Sequence, residues 1–206
     1  MTPQPDPHPP GGHAPGWLPP TPAQTVGPFF GYALPFTGGG HIAGHGDPDT
    51  ITVHGRVFDG ASGPVPDALV EIWQADRDGC LAGAPGSLRH DQVTSEVVGR
   101  DGTAFTGFGR VPTDADGHWA VRTVAPGPHR PGATPYLAVA VFARGLLRHL
   151  YTRVYLPERA DHVRADFPDL PAERLDTLLA VRERAGLYRF DIRLQGERET
   201  VFFDFC

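Results

Sequence analysis

From Ile51 onward, apolar and polar residues alternate in short runs set apart by turn residues. ITVHGRVF (51–58), ALVEIWQ (68–74), HWAVRTV (118–124), YLAVAVF (136–142), LYTRVYL (150–156) and LYRFDIRL (187–194) carry the two-residue period of half-buried strands. In the second run Leu69, Glu71 and Trp73 fall on one face, and Val70 and Ile72 on the other. A weaker run, Phe105–Val111, and a last one, Thr200–Phe205, bring the total to about eight strands. DGASGPVPD, Asp114–Gly117, APGPHRPGATP and QGERE lie between them and are turn chemistry. Residues 75–102 form a Gly-rich, charged insertion. One stretch changes period. In PAERLDTLLAVRERA, Pro171 suits a first turn, Leu175, Leu178 and Leu179 share a helical face, and Gly186 follows as a stop, so a helix is predicted from Pro171 to Ala185. The whole pattern predicts an all-β fold: an antiparallel β-sandwich with one short helix, and with function carried by its loops.

The first 50 residues read differently. They hold 12 of the 23 prolines and 10 of the 26 glycines. Residues 1–20 predict a PPII-like or disordered arm. Thr21 to Phe36, TPAQTVGPFFGYALPF, is too apolar for a solvated linker and too interrupted for a helix or a central strand. An extended strip laid on another surface, of this chain or of a partner, fits it best. Residues 37–50 read as loop. The expected division is therefore 1–50, an arm with a partner-contacting strip, and 51–206, a β-sandwich domain; 206 residues suit one domain.

Net charge is −6 and all 18 basic residues are arginine, with no basic run, which argues against nucleic acid or an anionic membrane as partner. No apolar run reaches the ~20 residues of a membrane span. The N-terminus lacks the charged and apolar segments of a signal peptide, and Cys80 and Cys206 make no disulfide framework. The cytoplasm is the expected location.

Chemistry-bearing residues are scattered. His41 and His45 are four apart, but in a Gly-rich loop, and no His-x-His places two imidazoles on one strand face. Exposed or hydrogen-bonded histidines are expected rather than a metal site. TDADGHW (113–119) has the first acids of a calcium loop without its later ligands or closing Glu, so a turn is expected there. Ser62, Ser87 and Ser95 fall in loops with no GxSxG, and Cys80 sits beside acids that disfavour a thiolate. Arg144 stands apart. It follows the apolar run Tyr136–Ala143 and precedes Gly145. Its guanidinium can reach into a cleft toward a ligand carboxylate, or form a salt bridge to a local Asp or Glu. The residues alone compose no complete catalytic set.

The segments TPAQTVGPFF, VHGRVFDGASGPVPDALVEIWQAD, TDADGHWAVRTVAPGP, VFARGLLRHLYTRVYL and YRFDIRLQGERETVFFDF together resemble the intradiol ring-cleaving dioxygenases, over nearly everything from Thr21 on. The last two resemble the alpha type of chain in the two-chain members rather than the beta type or the catechol enzymes. The resemblance implies Fe(III) held by two tyrosinates and two histidines in catalytic chains, a donor set suited to a hard ion. The corresponding positions here are Leu81, His129, Tyr136 and Ala138. None carries the family's residue type, so the resemblance implies a chain with no catalytic residues and no iron of its own. It implies an iron-bearing beta partner in a hetero-oligomer that converts protocatechuate and O2 to 3-carboxy-cis,cis-muconate. Thr25, Gly27, Pro28 and Phe29 match an alpha-chain strip that walls the partner's active site, and Arg144 matches an alpha-chain Arg with the same role. Phe29 stands where that pattern often has Tyr, so it brings no hydroxyl. Two other readings stay open: a transthyretin-like binding module without enzymatic role, and a self-sufficient intradiol dioxygenase.

Overall fold

The computed structural model describes residues 30–83, 88–100 and 102–205. Two sheets stack face to face. One is built on β1 (Thr50–Phe58), with β6 (His118–Val124), β9 (Val181–Arg184), β10 (Leu187–Arg189) and β11 (Ile192–Arg193). The other runs in the order β5 (Phe108–Pro112), β2 (Leu69–Gln74), β7 (Leu137–Phe142), β8 (Leu150–Val154), antiparallel throughout. A hairpin of β3 (Leu88–His90) and β4 (Val97–Arg100) lies within the insertion that the sequence left unstructured. Asp91 fixes its turn by accepting the N–H groups of Val93 and Thr94, an Asx arrangement.

The predicted sandwich is present, with two strand pairings of the opposite sense. β1 is antiparallel to β6 from Thr50↔Val124 to Arg56↔His118, but parallel to β10 and then β11 on its other edge. The single strand expected over 187–194 is thus two pieces, joined where the Phe190 N–H donates to the His54 carbonyl at 2.7 Å. Gly55 permits this close approach, since a Cβ there would stand 1.8 Å from the Phe190 carbonyl oxygen.

Alternation places Val53 and Val57, Val70 and Ile72, Trp119 and Val121, and Leu137, Val139 and Val141 in one core between the sheets. Residues 40–43 join that core although they read as loop. Ile42 is fully buried, its N–H donates to Arg122 at 2.8 Å, and its carbonyl accepts from Thr106 at 2.9 Å. The turn at Asp114 is as expected: its carboxylate accepts the N–H groups of Asp116 and His118, and Gly117 takes a positive φ of 71°.

A second, smaller cluster joins Tyr155, Val163, Leu175, Leu178 and Val201. It explains where the helix prediction fails. Helix α1 is Phe30–Ala33, α2 is Ala160–Asp166, and α3 spans only Ala172–Leu175, continued by a 3₁₀ turn over Asp176–Leu178. Leu175 and Leu178 are buried as a helical face requires. Beyond them the backbone is captured instead by Tyr155, whose N–H donates to Leu178 and whose carbonyl accepts from Ala180, both at 2.9 Å. The chain then extends into β9, and Gly186, at φ 71°, is the turn of a hairpin with β10 rather than a helix stop. The last expected strand, Thr200–Phe205, is reduced to a single bridge between Phe203 and Tyr151.

Candidate functional site

The site forms at one end of the outer face of the β5-β2-β7-β8 sheet. Period two turns Ala138 outward from β7, where its register partners are Trp73 on β2 and Arg153 on β8. Tyr136 precedes β7 by one residue. His129 lies in the preceding loop with its ring 6.0 Å from that of Tyr136, nearly perpendicular. Leu81 follows β2 on a loop that packs on the same region: Gly79 abuts the backbone of Pro128 and His129, and the Gly127 N–H donates to Asp76 at 2.7 Å. The four positions matched to iron ligands therefore gather at one end of the sheet. Their chemistry does not suit the ion. Leu81 is an exposed alkyl group and Ala138 a methyl, which leaves one imidazole and one phenol. These residues do not fit a four-donor ferric site.

Beside His129 and Tyr136 lies a cavity of about 490 Å³, bounded by the 129–136 loop, which brings Arg130, and by Arg153, Tyr155, Asp166 and Phe167. Arg153 is its organising cation. Its guanidinium carbon lies 4.3 Å from the Tyr136 ring centre and 4.9 Å from that of Phe203, and Nη1 donates to the Tyr155 hydroxyl at 3.3 Å. Burial, only partly opposed by that bond, pushes the Tyr155 phenol above its usual value, so it stays protonated at neutral pH. The sequence reading missed Arg153 and Tyr155. The signal was in YTRVY, where period two puts a cation between two tyrosines on one strand face.

Arg144 sits at the far end of β7, before Gly145 at φ 88°. It is exposed and forms an ion pair with Asp67, the local partner that the salt-bridge reading anticipates. Asp67 also lies against Gly31 of α1: a Cβ on Gly31 would be 3.6 Å from the Asp67 carbonyl oxygen. Arg144 thus stands beside the described end of the N-terminal strip. From there the strip tracks the β5 edge, with the Leu34 carbonyl accepting from Arg110 at 3.3 Å and Phe36 under the Arg100 guanidinium. Thr25, Gly27, Pro28 and Phe29 lie outside the described residues.

Two histidine pairs come together without a third ligand. The rings of His41 and His45 meet edge-on at 5.7 Å, and His118 lies within 3.3 Å of His54, which itself bonds Glu183 at 2.9 Å. No group of three or more His, Cys, Asp or Glu side chains among the described residues is placed to share a metal ion.

Residues 39–144 match the family described as Dioxygenase. The chain belongs to the intradiol dioxygenases. Within them, it is 41% identical over 203 residues to a protocatechuate 3,4-dioxygenase alpha chain from Burkholderia cepacia, covering 89% of this chain and 96% of that one. To the beta chain from the same organism it is 30% identical over 172 residues, covering 76% and 69%. Among solved structures it is similar to the dioxygenase domain of a dioxygenase–carbohydrate-binding protein fusion from Streptomyces sp. SirexAA-E. That match has a TM-score of 0.53 and 28% identity, and covers 86% of this chain and 99% of that one.

Proposed function

We propose that the chain is the non-catalytic alpha subunit of a protocatechuate 3,4-dioxygenase. It pairs with a beta subunit that holds Fe(III) and opens protocatechuate with O2 to 3-carboxy-cis,cis-muconate. One observation carries the reading: similarity to alpha chains runs the length of the molecule, while Leu81, His129, Tyr136 and Ala138 supply half the donors an iron site needs. That donor set also disfavours a self-sufficient enzyme. Residues 1–50 supply the arm and the strip, residues 51–206 the sandwich, and Thr25, Gly27, Pro28, Phe29 and Arg144 wall the partner's pocket. No helix among the described residues is long and apolar enough to cross a membrane, which is in keeping with assembly in the cytoplasm.

The test is reconstitution. The chain purified alone is expected to hold no stoichiometric iron, to show no ferric-tyrosinate absorption and to be inactive. Co-expression with a beta-type chain is expected to give an iron-containing hetero-oligomer that cleaves protocatechuate. Near-stoichiometric iron in the lone chain overturns the reading. In the assembled enzyme, Arg144→Ala removes a charge facing a carboxylated substrate and is expected to lower kcat/KM by about 10- to 150-fold, mostly through KM. Arg144→Lys recovers part of this, having charge without the planar fork. Unchanged kinetics with matched iron content would reduce Arg144 to the Asp67 salt bridge.

A further inference from the structure

The cavity on the outer face has no role in the subunit reading above, because nothing there is catalytic and the strip and Arg144 lie elsewhere. We infer that it is a binding site for a planar aromatic monocarboxylate, held by Arg153. The inference does not depend on the subunit reading.

Four features carry it. First, Arg153 is a cation without a counter-ion: no carboxylate lies within ion-pair distance of it among the described residues, whereas Arg77, Arg110, Arg144 and Arg174 each have one. Second, it is preorganised. Tyr136 and Phe203 fix its plane and Tyr155 takes one Nη1 hydrogen, so its remaining donors are set without loss of side-chain freedom on binding. Third, the Tyr155 hydroxyl accepts from Arg153, which frees its own proton to donate to the same carboxylate oxygen. Fourth, about 490 Å³ is the size of a small-ligand pocket, and Tyr136, Phe167 and the His129 ring offer apolar and π surface to a flat ring. Asp166 and Arg130 also line the cavity; their charges offset each other, which leaves the single positive charge of Arg153 and matches a ligand with one carboxylate.

Titration calorimetry on the full chain with 4-hydroxybenzoate tests this, with phenol as the ring lacking a carboxylate and benzene-1,4-dicarboxylate as the doubly charged ring. One saturable site per chain is expected for 4-hydroxybenzoate, weaker binding for the dicarboxylate, and none for phenol. Arg153→Gln is expected to weaken binding by at least about 10-fold, the loss of a charge-assisted bond. Ala133→Phe fills the cavity from its rim without touching Arg153 and should abolish binding; it decides the matter if the Arg153 variant fails to fold. No saturable heat up to about 10 mM ligand, equal binding of phenol, or a folded variant of either kind that binds like wild type overturns the inference.

Discussion

Trp73 and Ala138 face each other across two strands, and their side chains show how one residue decides what a β surface can do. Trp73 is 55% exposed, held by the Phe108 ring at 4.7 Å, while Val70 and Ile72 on the same strand are fully buried. Alternation in ALVEIWQ was enough to predict which residues face which side. Arg153 and Tyr155 were legible by the same rule, but their role was not, because it depends on Tyr136 and Phe203 arriving from distant segments. Burial also makes a testable difference among the five tyrosines. Tyr155 and Tyr188 are both pushed above the usual phenol value chiefly by burial, Tyr188 also by the Glu158 carboxylate that accepts its hydroxyl at 3.1 Å. A phenol whose folded value is raised stabilises the fold fully below about pH 10, and that contribution is lost as pH rises through the folded value. In an alkaline titration followed at the tyrosinate absorption band, these two should ionise above the usual phenol range, together with unfolding. Tyr155→Phe should remove one late step; an unchanged titration would show that Tyr155 is not the buried phenol.

At the scale of elements, the sheets were legible and the connections were not. Strands with a strict period could be placed because one face of each meets the core. Pro171–Ala185 has a helical pattern that serves only as far as Leu178, because backbone bonds to Tyr155 outcompete further helix turns. The alternation in VRERAGLYRF, with a glycine at the bend, was the hairpin signal that helical periodicity masked. The C-terminal segment makes a similar point: it is hardly a strand, yet it closes the second cluster. Val201 is buried, its carbonyl accepts from Thr152 at 2.8 Å, and its N–H donates to Thr177 at 3.1 Å. Deleting residues 200–206 should expose Tyr155 and Leu178. Losing Val201 alone removes about 1.5–3 kcal/mol, so with Phe203 also gone from the cluster Tm should fall by at least roughly 3–12 °C for a domain of this size. Thermal unfolding of the truncated chain checks it, and an unchanged Tm would show that the segment is only a loose cover.

For the whole molecule, the question is what the outer sheet face and the N-terminal strip do together. Trp73, Tyr151 and Phe205 are exposed by 55%, 40% and 64%, an aromatic surface that stands open on the lone chain. The strip carries Val26, Phe29, Phe30, Leu34 and Phe36, of which the described end runs along the β5 edge and reaches Arg144 through Asp67. The composition of the strip points to a segment laid on another surface without saying whether that surface is this chain or a partner, and its described end lies on the β5 edge of this chain. Among the described residues the core begins after the strip, at Ile42, so a cut at residue 36 is expected to remove the strip and leave the sandwich whole. A chain lacking residues 1–36 should therefore keep its Tm near that of the full chain. Its assembly with a beta chain should weaken by at least about 10-fold, since burying a single aromatic side chain contributes about 1.5–3 kcal/mol. The reconstituted enzyme should also lose kcat/KM, because the strip and Arg144 meet at one place. Sedimentation or calorimetric titration of the two chains measures the first effect and steady-state kinetics the second. Assembly at unchanged affinity by a folded truncated chain would show that the strip is not part of the interface.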